Sequence, residues 1–252
     1  METYEYATLY EFETGYWWYR GLHAVLLDVF RVLDLPPGAR VLDMGCGTGQ
    51  NAVNLARHIT PNVFAFDISP HAAPFWKLRG LRRACLASIN TVPYPDNTFD
   101  AAVSVDVLES EAVDEAAAIG EMWRVVRPGG YLVLVVPAYQ WMMTEEHHRA
   151  VHASRRYTRQ SVTALLRQQP VRIVRATHVF ATLFPAIAVY RLALQRFGHA
   201  PQAQPRSELR PLPGPINEIL FRITDLERRI LKHANLPFGS SILALAQKVE
   251  QA

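Results

Sequence analysis

Two acidic residues and a group of glycines have the types and spacing expected of a site for a nucleotide-type ligand. Asp43 lies in an apolar run that ends at Gly45, and glycines recur at every second position through Gly47 to Gly49. Glycine lets the backbone turn tightly and approach a ligand where a Cβ would clash. Asp67 follows about twenty residues later, the spacing from which a carboxylate reaches both hydroxyls of a ribose. We therefore expect a cofactor site here.

The details of this loop distinguish between cofactors. The dinucleotide fingerprint spaces its glycines G-x-G-x-x-G/A, whereas this chain has Gln50 where the last small residue would stand. The carboxylate of Asp43 would repel a pyrophosphate, and it suits a cationic group such as an amino-acid ammonium. A nicotinamide-dependent oxidoreductase is therefore disfavoured.

Alternating strands and helices position these residues. Apolar runs indicate strands at 40–44, 62–69, 101–109 and 131–136, the last after the turn Pro128-Gly129-Gly130, and 51–58 indicates a helix. This order is typical of a doubly wound α/β sheet, which binds ligands at the carboxyl ends of its strands.

Taken in order, these segments resemble the motifs of the class I S-adenosylmethionine (SAM)-dependent methyltransferases, of the small-molecule, type 11/12-like kind, over about residues 40 to 140. The resemblance implies a Rossmann-like doubly wound seven-stranded sheet, mostly parallel with an antiparallel last strand. It implies SAM as cofactor and S-adenosyl-L-homocysteine as product. The cofactor contacts that it implies come from Asp43, Gly45, Cys46, Gly47, Gly49, Asp67, Ile68, Ser88, Ile89, Asp106 and Val107, with Tyr19 and Arg20 from an N-terminal lid.

The acceptor would bind beside the segment that follows the fifth strand. An Asp/Glu-His pair followed by Arg-Arg-Tyr-Thr resembles a pattern of small-molecule methyltransferases, and here it reads Glu146-His147 and Arg155-Arg156-Tyr157-Thr158. His147 and His148 are candidate bases, because histidine takes up a proton near neutral pH. Transfer by proximity alone, with no protein base, remains an open alternative. Candidate acceptor contacts are Trp17, Tyr139, Trp141, Arg155 and Tyr157.

We expect one domain over residues 1–252, with an aromatic and helical lid at about 1–35. A helix is predicted from about Gly21 to Leu33, after the aromatic cluster at 16–19, and a polar loop is predicted at 144–152. A sixth strand is predicted at 171–179, and the last strand at 240–248. Between them we expect a helical insertion at about 180–237, with helices at 183–197 and 216–233 and a Pro- and Gln-rich linker at 198–215.

Composition narrows the possible functions. The 252 residues carry a formal charge of +3 and include two cysteines, so neither a nucleic-acid partner nor a disulfide scaffold is indicated. No Asn-Pro-Pro-Tyr-type base-flipping motif follows the fourth strand, and the nine histidines show no metal-ligand spacing. The N-terminus has no signal-peptide pattern, so we expect a cytoplasmic protein.

The sequence therefore predicts a biosynthetic enzyme that transfers the methyl group of SAM to O or N of a small-molecule acceptor by in-line displacement. Two alternatives stay open, namely a methyltransferase for a lipid or polyprenyl-linked acceptor at a membrane surface, contacted through the insertion, and a SAM-binding partner without catalysis. A monomer and a homodimer are equally compatible with the sequence.

Overall fold

A computed structural model describes residues 3–197 and 209–249, and of Glu146, His147 and Phe197 it describes the backbone alone. In that part of the chain the helices are α1 Thr3–Phe12, α2 Trp17–Arg31, α3 Gln50–His58, α4 Ala73–Leu78, α5 Glu115–Val125, α6 Glu145–Val151, α7 Arg159–Leu166, α8 Phe184–Phe197 and α9 Gly214–Leu231, with a 3-10 helix at Gln140–Met142.

Seven strands form one sheet in the order β3-β2-β1-β4-β5-β7-β6. Neighbouring strands are parallel except for β7, which is antiparallel to both β5 and β6. This arrangement confirms the predicted Rossmann-like sheet with an antiparallel last strand. The strands are β1 Val41–Met44, β2 Val63–Asp67, β3 Ala84–Leu86, β4 Phe99–Val105, β5 Val126–Pro137, β6 Val171–Val179 and β7 Ser241–Lys248.

The central strands are buried on both faces. Val41 and Leu42, neighbours on β1, belong to two different cores, because successive side chains of a strand point to opposite faces. Residues of α2, α3 and α9 pack in one core and residues of α5 and α7 in the other. Helices on both faces explain why these strands read as continuous apolar runs and not as alternating ones. They also leave the carboxyl ends of β1, β2 and β4 together at one edge.

The structure corrects the sequence analysis at three helices. Residues 3–12, for which no separate helix was predicted, form α1, and α2 begins at Trp17 inside the aromatic cluster and not near Gly21. The predicted polar loop at 144–152 contains α6. In each case aromatic or charged side chains obscure the helical period, and contacts with the rest of the fold determine the conformation. Thr158 caps the N-terminus of α7, since its side chain accepts from the backbone N of Ser161 at 3.1 Å.

The insertion contributes α8 and α9, as predicted, whereas residues 198–208 of the predicted linker lie outside the described residues. Helix α9 runs along α2. The backbone N of Trp17 donates to Asn217 Oδ1 at 2.8 Å, and the Arg228 guanidinium contacts both Asp28 and Asp225. Among the described helices, none has the length and apolar character needed to cross a bilayer.

Candidate cofactor and acceptor site

The glycine loop after β1 has a backbone that only glycine adopts without strain. Gly45, Gly47 and Gly49 all have positive φ, at 78°, 54° and 92°. A Cβ at Gly45 would overlap the side chain of Val107, which follows β4. The loop therefore lies directly against the end of the neighbouring strand, and a side chain at Gly45 would close that approach.

Hydrogen bonds fix the position of this loop over the sheet. The backbone N–H groups of Gly45 and Cys46 both donate to the carbonyl of Phe66, at 2.9 and 2.8 Å. Trp76 Nε1–H donates to the carbonyl of Gly47 at 2.8 Å. The side chain of Cys46 is buried, in agreement with a packing role. These contacts hold the loop rigidly between β2 and α4.

Asp43 is a buried carboxylate that lacks one of its partners. The residue is 1% exposed, and its Oδ2 has no hydrogen-bond partner among the described residues. A backbone hydrogen bond from Ala52, in the first turn of α3, reaches this carboxylate. Burial, and next the negative charge of Asp67, raise the pKa of Asp43 to about 7. Such a group is costly unless a donor arrives, because a buried carboxylate oxygen needs a hydrogen bond.

Asp67, at the end of β2, is held in place by three donors. Its Oδ2 accepts from the backbone N of Gly47 at 2.8 Å, and its Oδ1 accepts from the backbone N of Ser69 at 3.0 Å. The Tyr6 hydroxyl, from α1, donates to Oδ1 at 3.2 Å. The next residue, Ile68, is 62% exposed. The structure thus presents a fixed carboxylate and an open apolar side chain beside the glycine loop.

The segment after β3 places its two predicted residues differently. Ser88 accepts from the backbone N of Asn90 at 3.2 Å through its hydroxyl, while Ile89 is buried in the core with Leu42 and Phe66. The Ser88 hydroxyl is therefore part of a local turn, and the side chain of Ile89 belongs to the core.

Helix α1 covers the glycine loop, which the sequence analysis did not foresee in this detail. Leu9 lies 3.3 Å from the position that a Cβ of Gly47 would occupy. Just beyond the helix, Glu13 is buried and contacts both Thr48 and Arg79. Tyr6, Leu9 and Glu13 recur at helical spacing, but the aromatic and acidic residues between them obscure this period in the sequence.

A second group of acids lies at the end of β4. Asp106 has a positive φ of 50°, and its backbone N donates to the carbonyl of Val135 at 2.9 Å. Desolvation by the surrounding protein raises its pKa to about 7, against the opposing effect of Arg156, although the residue as a whole is solvent-exposed. Three residues on, Glu109 is 7% exposed, and its Oε2 has no partner in the described part of the chain. Burial first, and then Asp106, raise the pKa of Glu109.

The two predicted lid residues point in different directions. Tyr19 lies near Glu13 and Asp106, and burial together with those charges raises its pKa. The guanidinium of Arg20 instead pairs with Glu218 of α9 at 2.9 Å and lies 3.6 Å above the ring of Phe221. Tyr19 is thus beside the site. Arg20 is engaged by the insertion, and its predicted cofactor contact stays a prediction.

Three of the predicted acceptor contacts hold the fold together. Trp17 is buried and meets Phe180 edge to face. The hydroxyl of buried Tyr157 donates to the carbonyl of Leu108 at 2.9 Å. Arg155 Nη2 donates to the carbonyls of Ser110 and Val113, at 2.5 and 2.7 Å, and its Nη1 pairs with Glu115 at 3.1 Å. Both Arg155 and Tyr157 tie the segment after β5 to the loop after β4.

The other two acceptor candidates belong to an aromatic cluster. Tyr139 stacks against both Trp141 and His178, and its hydroxyl lies 3.1 Å from His178 Nε2. Trp141 is 47% exposed and meets Phe184 of α8 edge to face. Sequence reasoning missed His178, because a lone histidine inside a strand carries no local signal.

Both ring nitrogens of His148 lie close to oxygen atoms of the protein. Nδ1 lies 2.7 Å from the carbonyl of Ala153, so Nδ1 carries the proton, since a carbonyl only accepts. Nε2 faces Glu111 Oε1 at 3.4 Å. The side chain of His147 lies outside the described residues, and its predicted role stays a prediction. No group of three or more His, Cys, Asp or Glu among the described side chains could hold a metal ion.

Comparison with known proteins identifies this arrangement. Residues 42–134 match the sequence profile of the methyltransferase domain family, from the second residue of β1 into β5. The chain carries a class I SAM-dependent methyltransferase domain. Its cofactor is SAM. The residues of this site fit SAM. The unpartnered Oδ2 of Asp43 and the glycine loop lie together at the carboxyl end of β1, where the methionine part of SAM would bind.

Two curated relatives and one solved structure illustrate the similarity. An uncharacterized 37.1 kDa protein in transposon TN4556 of Streptomyces fradiae is 32% identical over 184 residues, 68% of this chain and 52% of that protein. The demethylmenaquinone methyltransferase of Corynebacterium urealyticum is 36% identical over 129 residues, 49% of this chain and 55% of that enzyme. The chain thus spans about half the length of these relatives.

The crystal structure of the [4+2]-cyclase SpnF shares the fold. It is 24% identical to this chain and superposes with a TM-score of 0.56, over 90% of this chain and 81% of its own. A protein described as a cyclase therefore has the same architecture as this methyltransferase domain, so the fold alone does not determine the reaction.

Proposed function

We propose that this protein transfers the methyl group of SAM to an O or N atom of a small-molecule acceptor. The proposal rests on the buried carboxylate of Asp43. Its Oδ2 accepts no hydrogen bond within the described part of the chain, and it lies beside a loop whose glycines have positive φ. An ammonium supplies that donor directly or through water, and its charge favours the ionised carboxylate. A pyrophosphate would meet repulsion at the same point.

The remaining cofactor contacts follow from the neighbouring strand ends. Asp67 would accept from the ribose hydroxyls, and Ile68 would pack on the adenine with its exposed side chain. The backbone of Gly45, Cys46 and Gly47 would face the methionine part, with Gly49, Ser88, Ile89 and Val107 shaping the walls. Bound SAM supplies a methyl group activated on a sulfonium.

The protein's own part in the reaction is alignment and the exclusion of water. In-line transfer requires a fixed geometry between acceptor and donor, and the ends of the sheet's strands hold the binding residues in fixed positions. Helix α1 lies over the glycine loop through Tyr6 and Leu9, and Glu13 anchors the end of this cover against Thr48 and Arg79. We expect this cover to limit the access of water to the glycine loop, with Tyr19 close to both Glu13 and Asp106.

Proton removal from the acceptor does not require a histidine base. His148 donates through Nδ1 to the carbonyl of Ala153, so Nε2, which lies 3.4 Å from Glu111, is the ring atom left to accept a proton. Transfer by proximity is the simpler mechanism, with His147 and His148 retained as candidate bases. The aromatic side chains of Tyr139 and Trp141 favour an acceptor with a flat or apolar part.

Calorimetry tests the cofactor half of this proposal. We expect SAM and S-adenosyl-L-homocysteine to bind and NAD not to bind. Asp43→Asn should weaken binding by about 10- to 100-fold, which corresponds to about 1.4–2.8 kcal/mol for a lost charge-assisted contact. Asp96→Asn, at an acid 69% exposed in its side chain, is the matched control and should bind as the wild type does. Equal affinity of Asp43→Asn and wild type would overturn the assignment.

Turnover separates methyl transfer from binding without catalysis. The assay follows S-adenosyl-L-homocysteine release with a panel of phenols, amines and prenylated quinols. A prenylated quinol belongs in the panel because one relative is a demethylmenaquinone methyltransferase and because the aromatic cluster at Tyr139 is open to solvent at Trp141. Tight binding of SAM with no turnover on any class would favour the partner protein or another reaction on this fold.

A further inference from the structure

Part of the apolar surface of helix α9 is not covered by the rest of the fold. One face packs on α2, where Thr224, Glu227 and Leu231 are buried. The adjacent face is solvent-exposed, with exposures from 49 to 60% at Ile216, Ile219, Leu226 and Ile230. With partly buried Ile223 between them, these residues recur every three or four positions and form one continuous ridge along the 18-residue helix, which is about 27 Å long.

Cationic side chains border this apolar ridge. Arg222 and Arg229, three residues after Ile219 and Leu226, have side chains 78% and 70% exposed. Their guanidinium groups pair with Glu218 and Asp225 on the same helix, at 3.2 and 3.1 Å, and these pairs remain at the water surface, where they contribute little.

The insertion as a whole also carries a net positive charge. Residues 180–237 contain eight Lys and Arg against four Asp and Glu, whereas the rest of the chain contains eighteen against nineteen. This excess comes from residues on either side of α9, because α9 itself carries three arginines and three acidic residues. An apolar ridge edged by cations complements an anionic lipid surface.

A second copy of the chain is a poorer occupant of this ridge. Four or five half-exposed side chains on a single helix bury much less than the roughly 800 Å² per partner of a standard interface.

We propose that α9 docks the protein on a membrane surface that contains anionic lipid, with the ridge of Ile216, Ile219, Leu226 and Ile230 in the interface and the arginines at the headgroups. The helix remains packed on α2, so docking needs no unfolding of the insertion. This proposal does not depend on methyl transfer, because vesicle binding is measured without SAM or an acceptor.

Vesicle co-sedimentation tests the docking. The probes are vesicles of phosphatidylcholine with about one third phosphatidylglycerol, and vesicles of phosphatidylcholine alone. We expect binding to the anionic vesicles and at least tenfold weaker binding for the double variant Ile219→Glu, Leu226→Glu. Arg222→Gln with Arg229→Gln should weaken partitioning by about fivefold for each arginine removed. Leu78→Glu, at a residue of α4 that is 67% exposed, is the matched control and should bind like the wild type.

Several outcomes would overturn the proposal. Equal binding to neutral and anionic vesicles would remove the role of the arginines, and unchanged binding of the double glutamate variant would remove the ridge. The ridge would be assigned to a second copy of the chain by two results together: light scattering that shows a dimer for the wild type and a monomer for the double glutamate variant, and no vesicle binding by the wild type. Circular dichroism and SAM calorimetry on each variant show that a loss of vesicle binding is not a loss of the fold.

Discussion

The pH dependence of ligand binding is the most direct test of Asp43. Burial and the charge of Asp67 raise the pKa of this carboxyl to about 7. A ligand ammonium binds the ionised carboxylate, so protonation of Asp43 competes with the ligand. We therefore expect the affinity for S-adenosyl-L-homocysteine to fall as the pH is lowered through 7, in the range where ordinary aspartates stay ionised.

The size of the effect follows from the fraction of carboxylate that is ready to bind. With a pKa of about 7, about three quarters of the carboxyls are ionised near pH 7.5 and about one in eleven near pH 6. The apparent dissociation constant should therefore rise about eightfold between these conditions. The ligand's own ammonium stays largely protonated throughout and contributes little to the change.

Calorimetric titrations at several pH values measure this profile, and two variants assign it. Asp43→Asn cannot titrate, so its affinity should be weak and nearly independent of pH. Asp106 also has a pKa raised to about 7, so Asp106→Asn serves to separate the two carboxyls. The steep profile should persist in Asp106→Asn. A profile that stays steep in Asp43→Asn and disappears in Asp106→Asn would refute the assignment to Asp43.

The same carboxyl should lower the stability of the ligand-free protein. Because the folded-state pKa is raised above the unfolded value of 3.8, the unfolded chain gives up this proton more easily than the folded chain does. Stability is then lost as the pH rises from about 4 through 7, with an upper bound of about 4 kcal/mol. Asp43→Asn keeps a buried amide, so we expect a gain of about 2 kcal/mol, or about 4–8 °C in Tm, near pH 8. An unchanged or lower Tm would contradict this.

Three further substitutions test separate parts of the site. Gly45→Ala should abolish cofactor binding in calorimetry, because its φ is 78° and the new Cβ would overlap Val107, and Val107→Ala in the same chain should restore binding only in part, since the φ strain remains. Trp76→Phe removes the donor to the Gly47 carbonyl and should cost about 1 kcal/mol in urea unfolding. His148→Ala should leave the turnover rate within a few-fold of wild type and lower the Tm. A turnover rate reduced by 100-fold or more would instead indicate that His148 is the base.

Local patterns were sufficient to predict most of the sheet. The apolar runs at β1 and β6 and the run that ends at Lys248 each needed only their own residues to be recognised, and the structure places strands there. The third strand, Ala84–Leu86, is three residues long and only partly buried, so it carries no pattern of its own. Helix α1 shows the converse, since its contacts with residues 61 to 69 positions away stabilise it and cannot be read from residues 3–12.

The acceptor side of the site was harder to predict for the same reason. The type of Arg155 and of Tyr157 suits a ligand contact, yet their partners are backbone carbonyls of the loop after β4, more than forty residues away. Only the folded chain shows that these donors are already satisfied. Asp43 was predictable because its site is built from one continuous segment, a strand, a glycine loop and the first turn of a helix.

The electrostatics of the site argue that it exists for a ligand and not for the fold. Burial opposes the ionisation of Asp43, which has a pKa of about 7 and an Oδ2 without a partner in the described part of the chain. Packing alone would be served better by apolar or fully paired side chains at such positions. Where a fold retains groups that lower its own stability, the compensating interaction comes from something it binds. The proposed ligand carries an ammonium, which supplies the donor and the positive charge that the buried carboxylate of Asp43 lacks.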